Sequence, residues 1–191
     1  MTIAEMFADH TAVVAHAARE LPAVLERIVA TLYAGLRGGG KILACGNGGS
    51  AADAQHLVAE LVGRFREERQ ALPAIALSAN TATLTALGND YGFERVFARQ
   101  VEALACRGDV LIAISTSGNS PNVLQAAQAA RSRGCGVIAL TGARGGQLAA
   151  YSDLILKAPS DTVARIQEVH SLCIHVICES LDELIRAEDS R

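Results

Sequence analysis

The sequence has no tryptophan, few aromatic residues of any kind, no CxxC pair, no apolar run long enough to span a bilayer and no block of like charge. Each absence closes off a class of protein. Scarce aromatics leave no base-stacking platform, and without a basic tail or stripe there is no electrostatic footprint for nucleic acid. The 17 basic side chains are mixed among 20 acidic ones, for a formal net charge of −3. Apolar runs broken by Gly, Asp and Asn predict no membrane helix. The opening MTIAEMFADH has acidic residues where a secretory signal has a basic start. The five cysteines (Cys45, Cys106, Cys135, Cys173, Cys178) are odd in number. Several fall inside apolar patterns, where a reduced thiol acts as a small hydrophobe. The expectation is a cytoplasmic protein with neither membrane nor nucleic acid as partner. A chain of 191 residues has room for one domain with a sizeable core.

What is present is an alternation. The chain opens on two helical patterns, one around Ile3, Met6, Phe7, Val13 and Val14, and one over residues 21–36, stopped by Gly38-Gly39-Gly40. These form a helical arm over residues 1–39. From residue 40 to 191, short apolar runs alternate with longer helical patterns. The runs 41–45, 74–77, 110–114, 136–140 and 154–156 read as five buried strands of a parallel sheet, with helices as crossovers. The fold class is α/β: a five-stranded parallel sheet flanked by helices in a flavodoxin-like, three-layer arrangement. Asn119-Ser120-Pro121 opens one crossover with a cap and a first-turn proline, and Gly134 closes it. The segment 82–104, with Gly88-Asn89-Asp90-Tyr91-Gly92 inside it, reads as helix, loop, helix. The last helix, over residues 163–186, is apolar on more than one face, which calls for partners on both sides.

Two strands run straight into loops with anion-binding chemistry. The first enters Gly46-Asn47-Gly48-Gly49-Ser50, with Asp53 at the spacing of a capping box. Glycines there let backbone N–H groups converge at a helix N-terminus. Alone, this loop would equally suit a plain strand-to-helix turn. The second strand ends in Ser115-Thr116-Ser117-Gly118-Asn119-Ser120, with hydroxyls that suit phosphate oxygens. Two such loops at the C-terminal edge of one parallel sheet point to a phosphate ester. Neither has a Walker lysine, which excludes nucleoside triphosphate chemistry. On the helix after the first loop, His56 and Glu60 share a face at i, i+4. That spacing suits a pair of metal ligands, or a base with its orienting partner.

The motifs GNGGSAADAQH, LPAIALS, GNDYGFE, GDVLIAISTSGNSPNV, ALTG and RIQEVHSLCIH occur in one order from about residue 40 to 185. Together they resemble the phosphoheptose isomerase family, whose members are single SIS (sugar isomerase) domains. The resemblance implies an aldose–ketose isomerase converting sedoheptulose 7-phosphate to D-glycero-D-manno-heptose 7-phosphate through an enediol, feeding activated heptose for lipopolysaccharide or other surface glycans. It implies a homotetramer with active sites between subunits, and one Zn2+ per site held by His56, Glu60, Gln167 and His175. Glu60 and His175 are the implied catalytic pair. Asn47, Gly48, Gly49, Ser50, Arg64, Asp90, Ser115, Thr116, Ser117, Ser120 and Gln167 are the implied substrate contacts. One departure stands out: Ala164 occupies the place of an Asp that some members carry before the glutamine, leaving Asp161 as a possible substitute.

Gln167 and His175 are eight residues apart, about 12 Å along a helix, too far for one ion with bonds near 2 Å. His170, one turn from Gln167, is the easier partner by local geometry, whereas the resemblance points to His175. If all four ligands serve one ion, some come from a neighbouring chain. The expectation drawn from this is that Glu60 and His175 meet from different subunits. The competing class is a non-enzymatic SIS protein that binds the replication initiator. Such relatives keep the glycine loop but lose the acid and the terminal histidine, both of which are present here. Other sugar-phosphate enzymes on this fold, such as arabinose-5-phosphate isomerases and etherases, usually differ in the HxxxE and RIQE regions.

Overall fold

Runs of Ile, Val, Leu and Ala with no polar alternation are satisfied only by strands covered on both faces. The computed structural model describes residues 1–189 and gathers these runs into one sheet. Its strands are β1 (Ile42–Cys45), β2 (Ala74–Ala76), β3 (Val110–Ile114), β4 (Gly136–Gly142) and β5 (Leu154–Ala158). All pairings are parallel, in the order β2-β1-β3-β4-β5, which is the flavodoxin-like arrangement expected.

Because successive strand residues point to opposite faces, the sheet sorts its own side chains into two cores. Ile42, Ala44, Ile112, Ile114, Ile138 and Leu140 pack with α2 (Pro22–Arg37), α3 (Gly49–Val62) and α7 (Val163–Asp189). Leu43, Cys45, Leu111, Ala113, Val137 and Ala139 face α5 (Ala98–Leu104) and α6 (Pro121–Ser132), with α4 (Thr81–Tyr91) at the margin through Leu84 and Leu87. The chain runs outward from β1 to β2, then returns to place β3 on the other side of β1. The order therefore reverses between β1 and β3, and a crevice opens beyond their C-terminal ends. Both phosphate-type loops flank that crevice.

Two expectations are revised. The Gly88–Tyr91 segment is not a loop: it is the last turn of α4, which runs on to Gly92 at φ 84. A glycine inside a helix costs only about 1 kcal/mol, and the break comes where positive φ is needed. The other concerns only how the N-terminal helical arm, present as expected, packs: its two helices differ. α2 buries Ile28, Val29 and Leu32 in the same core as the sheet. α1 (Ile3–Glu20) buries only Ala17 among its residues and leaves Ile3, Met6 and Phe7 exposed.

Four of the five cysteines are buried, as their apolar surroundings predict, and only Cys106 is exposed. Burial pushes the thiols of Cys45, Cys173 and Cys178 up to about 12.

At the opposite edge of the sheet, Asp109 fastens the starts of β1 and β3. Its Oδ1 accepts from the Lys41 backbone N–H at 2.9 Å; Oδ2 accepts from Lys41 Nζ at 2.6 Å and from the Cys106 N–H at 2.7 Å. Burial alone would raise its pKa, but the Lys41 ammonium and the two N–H groups outweigh that and hold it below the usual carboxylate range. Replacing Asp109 by Ala strands these donors and should cost roughly 3 kcal/mol. The contribution is fully present above the unfolded value of about 3.9 and is lost as pH falls through the lower native value. Unfolding curves of wild type and variant, well separated at pH 7, should draw together in acid below that range.

Candidate active site

Both loops begin helices without capping them. The capping box expected of Ser50 and Asp53 does not form, because the N-cap of α3 is Gly48 (φ 54), which has no side chain to offer. Ser50 lies inside the first turn, and Asp53 Oδ1 instead accepts from Ser171 Oγ of α7 at 2.7 Å. At α6 the N-cap is Ser120, yet its hydroxyl also makes no cap. It turns to Ser115 Oγ at 3.0 Å, while Ser117 Oγ lies 3.5 Å from the same atom. Gly118, at φ 66, packs so close to Gly145 that a Cβ would lie 2.0 Å from its carbonyl oxygen. Two uncapped helix N-termini and a knot of hydroxyls thus border one crevice, where dipole and donors favour an anion. The loops are also tied together: the side-chain amides of Asn47 and Asn122 exchange two hydrogen bonds, at 2.9 and 2.8 Å.

α3 and α7 lie side by side and run in the same direction. Gly49 sits against the Gln167 amide, so close that a Cβ there would be 2.4 Å from Nε2. Asp53 meets Ser171 one turn on, and His56 meets His175 one turn beyond that. This alignment decides which predicted ligands converge. His56 Nε2 is 3.2 Å from His175 Nε2 and 3.2 Å from Glu60 Oε1, and one ligand atom from each of the three falls within a 4.8 Å cluster. Gln167 is not among them: it stays at the glycine loop, about 12 Å back along α7. The expectation that Glu60 and His175 approach from different chains is overturned. It weighed positions along α7 alone, whereas α3, lying alongside, delivers His56 and Glu60 to His175 within one chain.

The three residues fit a metal ion. Tetrahedral bonds of about 2.0–2.1 Å set neighbouring ligand atoms about 3.3 Å apart, close to the two 3.2 Å separations here. Two imidazoles and a carboxylate are a common donor set for zinc with one position left open. The supporting structure is local but not contiguous in sequence. The Arg69 guanidinium donates from Nη2 to the Glu60 carbonyl at 2.8 Å and from Nη1 to that of Leu61 at 3.0 Å. Its Nε reaches Asp182 Oδ1 of α7 at 2.5 Å, both side chains being buried. Arg69 thereby closes the C-terminus of α3 and clamps it to α7. Phe65 packs its ring 5.2 Å from that of His175. Asn122, Phe65, Arg69 and Asp182 carry no sequence signal of their own, since each acts on a partner far away in the chain.

The remaining predicted residues lie elsewhere. Arg64 follows the end of α3, exposed, one turn beyond Glu60, and donates to the Arg66 carbonyl at 3.1 Å. Asp90 is exposed on the last turn of α4 and accepts from Asn89 Nδ2 at 2.7 Å. His170, the alternative ligand, is fully buried, with Nε2 3.0 Å from the Thr141 carbonyl. Burial lowers its pKa against the opposing effects of Thr141 and Asp53, as suits a neutral packing residue. Asp161 pairs with Arg144 at 3.1 Å, beside a cavity shared with Thr116 and Ser117.

A flavodoxin-order sheet with two hydroxyl- and glycine-rich loops at its switch point defines a sugar-phosphate-binding SIS domain, and residues 5–142 match the SIS domain family. The chain is 54% identical over 170 residues to phosphoheptose isomerase of Pelobacter propionicus, covering 89% of this chain and 90% of that protein. The structure of phosphoheptose isomerase from Francisella tularensis superposes with a TM-score of 0.93 at 42% identity, over 96% of this chain and 100% of the other. That from Neisseria gonorrhoeae gives 0.90 at 47% identity, over 95% and 97%. The chain belongs to the phosphoheptose isomerase family.

Replacing His175 by Ala should lower Zn2+ affinity at least 100-fold, measured by competition with a chromogenic chelator. Asp182→Asn, which loosens the Arg69 clamp without touching a ligand, should cost about tenfold. Unchanged affinity in the first variant would separate the triad from metal binding.

Proposed function

We propose that this chain is a cytoplasmic aldose–ketose isomerase that interconverts sedoheptulose 7-phosphate and D-glycero-D-manno-heptose 7-phosphate. The observation that carries the reading is the pairing of a phosphate-type crevice with a His56–Glu60–His175 triad in a chain more than half identical to named phosphoheptose isomerases. The substrate phosphate binds at the starts of α3 and α6, held by the N–H groups of Gly48 and Gly49 and by the hydroxyls of Ser50, Ser115, Thr116, Ser117 and Ser120. Glu60 Oε1 faces His56, which leaves Oε2 to take the proton from C1 of the ketose. His175 protonates the C2 oxygen, and the enediol forms. Collapse reverses the roles: His175 accepts the proton from the C1 hydroxyl while Glu60 delivers its proton to C2. A Zn2+ ion would be held by His56, Glu60 and His175; bound through His175 Nε2 it would take over that imidazole's service to the substrate oxygens, as a Lewis acid in place of a proton donor.

The active site is completed between subunits of a homotetramer. Leu172 and Val176, on either side of His175 in α7, are exposed at 43% and 38%, an arrangement that leaves the triad in an apolar surface needing cover. Near them, α1, α2 and α7 enclose an apolar groove of about 900 Å3 lined by Leu21, Leu25, Val29 and Leu184. Gln167, fixed at its own Gly49, serves the triad of a neighbouring chain. Among the described residues no helix is long and apolar enough to cross a membrane, and all five cysteines are free, as suits a reducing compartment. The non-enzymatic reading is disfavoured, because Glu60 and His175 are both retained and meet.

Glu60→Gln should fold and bind phosphate but turn over sedoheptulose 7-phosphate on the order of 100-fold more slowly, or worse. Near wild-type turnover would remove Glu60 as base. Hybrids separate the two halves of the site. Glu60→Gln reassembled with Gln167→Ala should regain part of the activity, since some interfaces receive an intact triad and an intact Gln167. Glu60→Gln with His175→Ala should regain none, every triad being broken. Recovery in the second mixture, or none in the first when hybrids form, overturns the subunit arrangement.

A further inference from the structure

Asn122 takes part in none of the steps above, yet it is 2% exposed and all of its side-chain polar atoms are engaged. Its Oδ1 accepts from Asn47 Nδ2 at 2.9 Å and from the Val123 N–H at 3.0 Å; its Nδ2 donates to Asn47 Oδ1 at 2.8 Å. Asn47 belongs to the loop after β1, and Asn122 to the first turn of α6 after β3. The two loops leave neighbouring strands, but the helices they start pack on opposite faces of the sheet. The reciprocal amide pair bridges them directly across the switch point. It also occupies both polar atoms of the Asn47 side chain, the residue that sequence resemblance made a substrate contact. What Asn47 has left to offer an anion is its backbone and the second hydrogen of Nδ2, whose direction is set by the bridge.

We propose that Asn122 is a positioning residue that holds the two phosphate-binding loops at a fixed separation, and that Asn47 acts through this bridge rather than by contacting substrate with its amide. The proposal rests on the phosphate site described above. A phosphate gripped by N–H groups from the α3 start and hydroxyls from the α6 side needs both at hydrogen-bond distance together, within a few tenths of an ångström. A bridge made of two parallel hydrogen bonds fixes distance and twist at once, as a single bond would not. Asn122 stays well away from the His56–Glu60–His175 cluster, so its loss should affect anion binding and leave the metal ligands alone.

The test is a mutant cycle read by the dissociation constant of inorganic phosphate on the full chain. Asn122→Ala and Asn47→Ala should each weaken phosphate about tenfold, and the double variant no more than either, because all three remove the same bridge. Zn2+ affinity should stay at the wild-type value, which a general loosening of the fold would not allow. If Asn122→Ala does not fold, Asn122→Asp serves in its place. It keeps the acceptor for Val123 and Asn47 Nδ2, loses the donor to Asn47 Oδ1, and should weaken phosphate at least tenfold. Losses that add to about 100-fold would make Asn47 a direct ligand and overturn the proposal, as would wild-type phosphate affinity in the Asn122 variants. Ser115→Ala and Ser120→Ala mark which idea has failed. If they weaken phosphate while the Asn122 variants do not, only the bridge is wrong; if they too bind phosphate normally, the crevice is not the phosphate site and the bridge falls with it.

Discussion

The alignment of α3 with α7 is the constraint on which the rest of the site depends. Parallel strands force their crossover helices onto the sheet in a common direction, and α7, arriving last, lies along α3 on the same face. One turn of mismatch would bring His56 beside Ser171 and break its contact with His175. The alignment is held at three levels: Gly49, whose missing side chain admits Gln167; Asp53, which takes the Ser171 hydroxyl; and Arg69, which joins the end of α3 to Asp182.

The same constraint divides the chemistry. The glycine loop at Gly49 and the ligand cluster at His56 are both attached to α3, separated by seven residues, or roughly 10 Å. Neither end tolerates independent movement, because each is fastened to α7 and through it to the sheet core. Rigid elements hold functional groups more accurately than loops do, and here only the short connections at the switch point are irregular. Even these are pinned, by the amides of Asn47 and Asn122 and by the close approach of Gly118 to Gly145.

Most of the architecture was legible because it follows from period and punctuation. Five short apolar runs bounded by small polar residues became five parallel strands, and the loops after β1 and β3 landed at the switch point. Two features misled. Gly88 and Asn89-Asp90 look like a break, but an exposed helix absorbs one glycine until positive φ is needed at Gly92. The Ser50–Asp53 spacing looks like a cap, but the N-cap falls two residues earlier, at Gly48, and frees Asp53 for α7. The partners of the site were harder. His56 and Glu60 declare themselves by spacing, whereas their meeting with His175 depends on a contact spanning 119 residues, which no local pattern encodes. Arg69 and Asp182 are separated by nearly as much, 113 residues, and neither differs in sequence from an ordinary surface charge.

The absent caps have a consequence for the protein at rest. α3 and α6 start at the same edge of the sheet, on its opposite faces, so their partial positive N-termini lie near one another. Neither N-cap residue offers a side-chain cap, and at α6 Asn122 Oδ1 takes one first-turn N–H, that of Val123. The N–H groups left over favour a small oxyanion. An anion that binds there, and only in the native state, would add to stability in proportion to the logarithm of its concentration, so the thermal midpoint should follow the phosphate content of the buffer.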